Sequence, residues 1–90
     1  MAFADIPGVG RIKREHIIRA IGRIDGEGVP PEHRSREWEL KYEDRSYPPK
    51  YVVKLAYEYA NPGVTISTEE YNVHEALAFL IGLGFEVRRI

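Results

Sequence analysis

The chain has 90 residues, 43% of them hydrophobic and 30% charged, with a formal net charge of −1. That allows one small domain with one core and excludes a strongly basic protein. It has no Cys, which excludes disulfides, thiol catalysis and thiolate metal sites.

Residues 1–11 are small and Gly-rich and read as an N-terminal arm ahead of a domain spanning 12–90. Ile6-Pro7-Gly8-Val9-Gly10 has the composition of a phosphate-binding hairpin between helices, but too little chain precedes it to form the first of those helices. Arg11–Ile24 reads as a helix. Ile17, Ile18, Ile21 and Ile24 make one apolar stripe, and Glu15 with Arg19 is a supporting i,i+4 pair. Asp25-Gly26-Glu27-Gly28 ends it, and Val29-Pro30-Pro31 leads away extended. Trp38, Leu40 and Tyr42 alternate with Glu39 and Lys41, the pattern of a half-buried strand. Glu43-Asp44 is turn material, its type left open by the lack of Gly, and Arg45-Ser46-Tyr47 returns as a second strand.

Pro48-Pro49 opens a second helix, where the missing proline N–H would have no partner anyway. Val52, Leu55, Ala56 and Tyr59 form its core stripe, and Asn61-Pro62-Gly63 stops it. Val64–Ser67 is a short strand or an extended loop. Asn72 with Glu75 is a box-like helix start, and Ser67 with Glu70 competes with it. Val73, Ala76, Leu77, Leu80 and Ile81 stripe a third helix, which Gly82 and Gly84 end. Phe85–Ile90 reads as a terminal strand. The expected fold is a small single α+β domain of three helices with a β-hairpin and a C-terminal strand, a winged-helix-like arrangement being one option.

Enzymatic chemistry finds little footing. Glu39-Leu40-Lys41 matches the acidic-x-Lys strand of metal-dependent nucleases, but Asp25 and Glu32, the nearest candidates for the further carboxylate, lie on no convincing strand. His16, His33 and His74 show no metal-ligand spacing. No nucleophile elbow, P-loop or dinucleotide fingerprint occurs. A non-catalytic protein without metal or cofactor is expected. No apolar run approaches the ~18 residues of a membrane span, and Met1–Asp5 lacks the regions of a secretory signal. A cytoplasmic location away from membranes follows. The absence of Gln, with Ile, Arg, Glu and Tyr frequent, leans toward a thermophilic source.

The charges are unevenly placed. From Arg11 to Lys54 there are 11 basic and 8 acidic residues, whereas Leu55–Val87 holds 5 acidic residues and no basic one. The first half can face a polyanion. There Tyr42, Tyr47, Tyr51 and Tyr57 interleave with Lys41, Arg45, Lys50 and Lys54. Cations neutralise phosphate and tyrosines stack on sugars or bases, so this is a candidate nucleic-acid surface. The plain alternative is core packing for Tyr42 and Tyr59 and mixed solvated surface for the rest.

A longer set of residues carries a resemblance. It runs through Glu15-His16-Ile17, Ala20-Ile21, Ile24-Asp25, Gly28-Val29-Pro30, Arg34-Ser35 and Trp38-Glu39-Leu40. It continues through Tyr47-Pro48-Pro49-Lys50-Tyr51-Val52-Val53, Leu55-Ala56, Glu70-Tyr71-Asn72, Ala76 and Phe79-Leu80, ending at Leu83-Gly84-Phe85-Glu86-Val87. Over about residues 12–90 the chain resembles the N-terminal head domain of McrA-like, modification-dependent (type IV) restriction endonucleases. It departs from the common pattern at Glu43-Asp44 and in Ser67–Tyr71, where relatives often carry Gly. The resemblance implies a non-catalytic DNA-recognition module of a defence nuclease, acting on DNA, including duplex with modified cytosine, beside a nuclease domain or subunit. The cutting residues would lie outside this domain. Arg34, Arg36, Lys41, Arg45, Lys50 and Lys54 are the expected phosphate contacts, and Tyr47 and Tyr51 the expected sugar or base contacts. Trp38 is assigned to the core. The second reading is a protein-docking module of a restriction complex, a homodimer being one form of it. A metal-dependent nuclease is a minor third.

Overall fold

The computed structural model describes residues 3–90. Three helices, α1 (Arg14–Glu27), α2 (Pro49–Ala60) and α3 (Val73–Gly82), pack with strands β1 (Trp38–Tyr42), β2 (Arg45–Tyr47) and β3 (Glu86–Arg89). The strands form one antiparallel sheet in the order β2-β1-β3. This is the expected α+β domain.

α2 is the central element, packed against α1, α3 and β1. Its sequence explains this. Val52, Leu55 and Ala56 form the stripe toward the core, and Val53 and Tyr57 widen it, so all five are buried. α1 contributes Ile17, Ala20, Ile21 and Ile24, and α3 contributes Ala76, Leu77 and Leu80. β1 sends Leu40 into the same core. In the register, Leu40 stands opposite Tyr47 on one side and Val87 on the other. Side chains alternate along a strand, so Glu39 and Lys41 lie on the outer face.

The start of the chain differs from expectation. Residues 1 and 2 of the expected arm lie outside the described residues. Residues 3–11 are not an arm: they form 3-10 turns at Phe3–Asp5 and Val9–Arg11, with Phe3 and Val9 buried. The physical reason is a period of three. Phe3, Ile6, Val9 and Ile12 recur at the repeat of a 3-10 helix and all join the core cluster. Tyr57 donates its hydroxyl to the carbonyl of Pro7 at 2.7 Å, and Asn61 Nδ2 donates to that of Gly8 at 3.0 Å. Gly8 has φ 93°, and a Cβ there would lie 2.5 Å from Asn61 Oδ1, so this close approach requires glycine. The segment thus packs on α2 instead of presenting a phosphate-binding hairpin.

Helix boundaries also shift. α1 starts at Arg14 rather than Arg11, because His16 Nδ1 accepts the Lys13 N–H at 2.9 Å and satisfies one orphan donor of the first turn. It runs through Asp25 and Gly26 and stops at Gly28, φ 79°. Between β1 and β2, Glu43 and Asp44 both have positive φ, 47° and 65°, the pattern of a type I′ turn. Val64–Ser67 is a loop that pairs with none of the three strands. Both candidate boxes form. The Ser67 hydroxyl and Glu70 carboxylate cap the short turn Thr68–Glu70, and Asn72 with Glu75 caps α3. Among the described residues no helix is long and apolar enough to cross a membrane.

Candidate nucleic-acid interface

The start of α2, the loop before β1 and the loop before α3 enclose a cleft of about 280 Å³. Pro48 ends the hairpin in an extended conformation, and buried Pro49 takes the first helical position. This fixes Lys50 and Tyr51 in the first turn of α2, at the cleft. Opposite them, Pro31–His33 makes a 3-10 turn that carries His33 inward, and Arg34, Ser35 and Arg36 continue the wall. Trp38, at the start of β1, lines the cleft as well. The Ser35 hydroxyl donates to the Trp38 carbonyl and fastens this loop to the sheet.

Ring contacts organise the walls. The His33 imidazole stacks on Tyr51, centroids 4.6 Å apart and planes 21° from parallel. Trp38 meets His74 edge-on at 6.2 Å, and the Arg89 guanidinium lies 5.7 Å from the Trp38 ring centroid. The Lys50 ammonium sits 5.4 Å from the ring of Tyr71, whose hydroxyl donates to the Lys50 carbonyl at 2.6 Å. Burial pushes the Tyr71 hydroxyl well above the ordinary phenol range, so it stays a neutral donor and holds the turn that carries Lys50. Glu32 and Glu37 also line the cleft, so three cations face two carboxylates there.

Four of the eight expected contact residues therefore come together: Arg34, Arg36, Lys50 and Tyr51. The other four do not line the cleft. Tyr47 is buried, 5% exposed, and donates its hydroxyl to Asp25 Oδ1 at 2.8 Å. This corrects its assignment as a sugar or base contact, for the register that turns Leu40 inward turns Tyr47 inward too. Burial and then the bond to Asp25 push its hydroxyl up to about 12. Arg45 reaches the same carboxylate, Nη1 to Oδ1 3.4 Å. The Lys41 ammonium lies 3.3 Å from the Ser46 hydroxyl on the outer sheet face. Lys54 pairs with Glu58 at 2.5 Å, and Glu58 also accepts the Ile66 N–H at 3.4 Å. Lys54 is thus committed within the fold.

The nuclease pattern does not assemble around Asp25. Glu39 and Lys41 lie on the outer sheet face, whereas Asp25 bonds the inward Tyr47 from the opposite side. Glu39 instead pairs with Arg88 at 2.8 Å, and that bond holds its carboxyl below the usual range. Among the described residues no group of three or more His, Cys, Asp or Glu is placed to hold a metal ion. Sequence reasoning missed His33, and it assigned Trp38 to the core where the structure leaves it half-buried at the cleft. The signal for His33 was Pro30-Pro31, which sets the turn that aims it.

Fold and site together define a small α+β module with a half-open cleft, walled by rings and rimmed by cations. The family model of the ScoMcrA-like N-terminal head domain matches residues 10–89, and the chain belongs to that family. No curated protein and no solved structure matches it. The membership agrees with the resemblance drawn from Tyr-Pro-Pro-Lys and the Leu-Gly-Phe ending, and it places the domain among restriction-system proteins.

Proposed function

We propose that this domain is a non-catalytic DNA-binding module of a modification-dependent restriction system, acting in the cytoplasm beside a nuclease domain or subunit. The observation that carries this reading is the cleft at the start of α2, where Arg34, Arg36 and Lys50 stand next to Tyr51, His33 and Trp38. Guanidinium and ammonium groups neutralise phosphate, and the rings provide stacking surface. The first helical turn adds backbone N–H groups and a favourable dipole for an anion held by Lys50. Specificity for modified cytosine belongs to the same proposal.

Fluorescence-anisotropy titrations at two salt concentrations test it. The ligands are labelled duplexes carrying cytosine, 5-methylcytosine or 5-hydroxymethylcytosine, and a single strand. Binding that weakens steeply with salt is expected, because each neutralised phosphate releases condensed counterions. Absence of binding at low salt overturns the reading. The second reading, a protein-docking module, draws on the exposed Ile81 and Val64, which are 57% and 49% exposed. An interface centred on such residues would respond weakly to salt.

A further inference from the structure

We infer that the cleft takes one unpaired deoxynucleotide, its base against the ring wall and its phosphate at the cationic rim; this rests on the DNA-binding reading. Three observations lead there. First, the site is concave. A duplex offers its phosphates on a convex ridge, and Lys and Arg on a plain surface suffice to meet them. A cleft of about 280 Å³ lies at the small end of ligand pockets, which run from about 300 Å³ upward. It suits one nucleotide, whereas a duplex can only touch its rim.

Second, the walls carry rings from three separate chain segments. His33 comes from the 3-10 turn, Trp38 from β1 and Tyr51 from α2. In the His33–Tyr51 stack each ring covers one face of the other, and an unstacked base would extend that stack from an outer face. Such rings offer a paired base nothing, since its faces are already stacked within the duplex. Third, the cations stand at the rim of the same space: Arg34 and Arg36 are exposed, and Lys50 is held at the helix start by Tyr71. A base inside and a phosphate at the rim match one nucleotide leaving a strand. Extruding a base costs least where it is unpaired or mismatched, so the cleft would favour single strands, bulges and mismatches over intact duplex.

Trp38 is the sole tryptophan of the chain, so its emission reports directly on the cleft. The test titrates the whole 90-residue protein with three labelled ligands. They are a short oligothymidylate, a blunt duplex, and that duplex with one bulged thymidine. Trp38 emission and anisotropy are followed together. The single strand and the bulged duplex are expected to quench Trp38 and to bind about tenfold more tightly than the blunt duplex. Tyr51→Ala should weaken binding of the single strand and the bulged duplex roughly tenfold more than that of the blunt duplex, and so remove that advantage. Tyr51→Phe keeps the ring and should bind as the parent does. Circular-dichroism melts of both variants establish that they are folded. If anisotropy shows binding but bulged and blunt duplexes bind alike with Trp38 emission unchanged, the nucleotide site is overturned and DNA binding stands. If no ligand binds, both fall.

Discussion

Lys50 and Lys54 lie one helical turn apart on α2, yet the structure gives them different work. Among the described residues the Lys50 ammonium meets the face of Tyr71 at 5.4 Å, which uses none of its three N–H donors. Lys54 is 2.5 Å from the Glu58 carboxylate, with the two side chains only 22% and 21% exposed. On the proposed DNA-binding reading, Lys50→Ala removes a phosphate contact. The slope of log affinity against log salt should become shallower by about 0.9, and low-salt affinity should fall about tenfold, on the order of 1.4 kcal/mol. Lys54→Ala should leave the slope unchanged. It breaks a half-buried i,i+4 pair and should lower stability by about 0.5–1 kcal/mol. For a domain of this size that is a fall in Tm of about 2–8 °C. Salt-dependent anisotropy titrations with duplex DNA and thermal melts measure the two effects separately. Equal loss of slope in both variants would show that the Lys54–Glu58 pair opens to DNA, and would refute the division.

Three further outcomes follow from local physics. Replacing Glu43 with Asn and Asp44 with Gly relieves two non-glycine residues at positive φ; stability should rise by about 0.5–1 kcal/mol, and an unchanged or lower Tm would contradict the type I′ assignment. The Tyr47 hydroxyl is held at about 12 against an ordinary 10.0. The unfolded chain therefore ionises first, and stability should fall as pH rises from about 10 through about 12. Melts across that window should be less pH-dependent for Tyr47→Phe, with Tyr71 supplying the remaining dependence. Glu75 accepts the N–H groups of Asn72 and Phe3 at 3.0 and 2.7 Å, and these bonds hold its carboxyl below the usual 4.5. That stabilisation is present above pH 4.5 and is lost as pH falls through the lowered value. Glu75→Gln should melt lower at neutral pH and show a weaker acid dependence; identical acid profiles would show that the carboxylate does not anchor the first residues.

What the sequence by itself determined were features whose cause is local. The Asn72–Glu75 box, the alternation in β1, the proline start of α2 and the Val52, Leu55 and Ala56 stripe depend on residues within a few positions of one another, and appear where expected. Tyr57, however, read as part of the nucleic-acid surface, is buried against the first turns, while Tyr59 is only partly buried. The 3-10 start was misread as an arm, although Phe3, Ile6, Val9 and Ile12 recur every three residues. The Lys54–Glu58 pair could have been read from its i,i+4 spacing. Only the tertiary structure decided which charged and aromatic residues share a site. Arg34, Arg36 and Trp38 reach Lys50 and Tyr51 because the hairpin folds back and Pro48-Pro49 turns the chain into α2 beside the loop it left. Tyr47 shows the same dependence. A short polar-aromatic strand can present either face, and its burial follows from the two-residue turn that sets Tyr47 opposite Leu40. A one-residue slip would have put that hydroxyl in solvent, and nothing local to Arg45–Tyr47 chooses between the two.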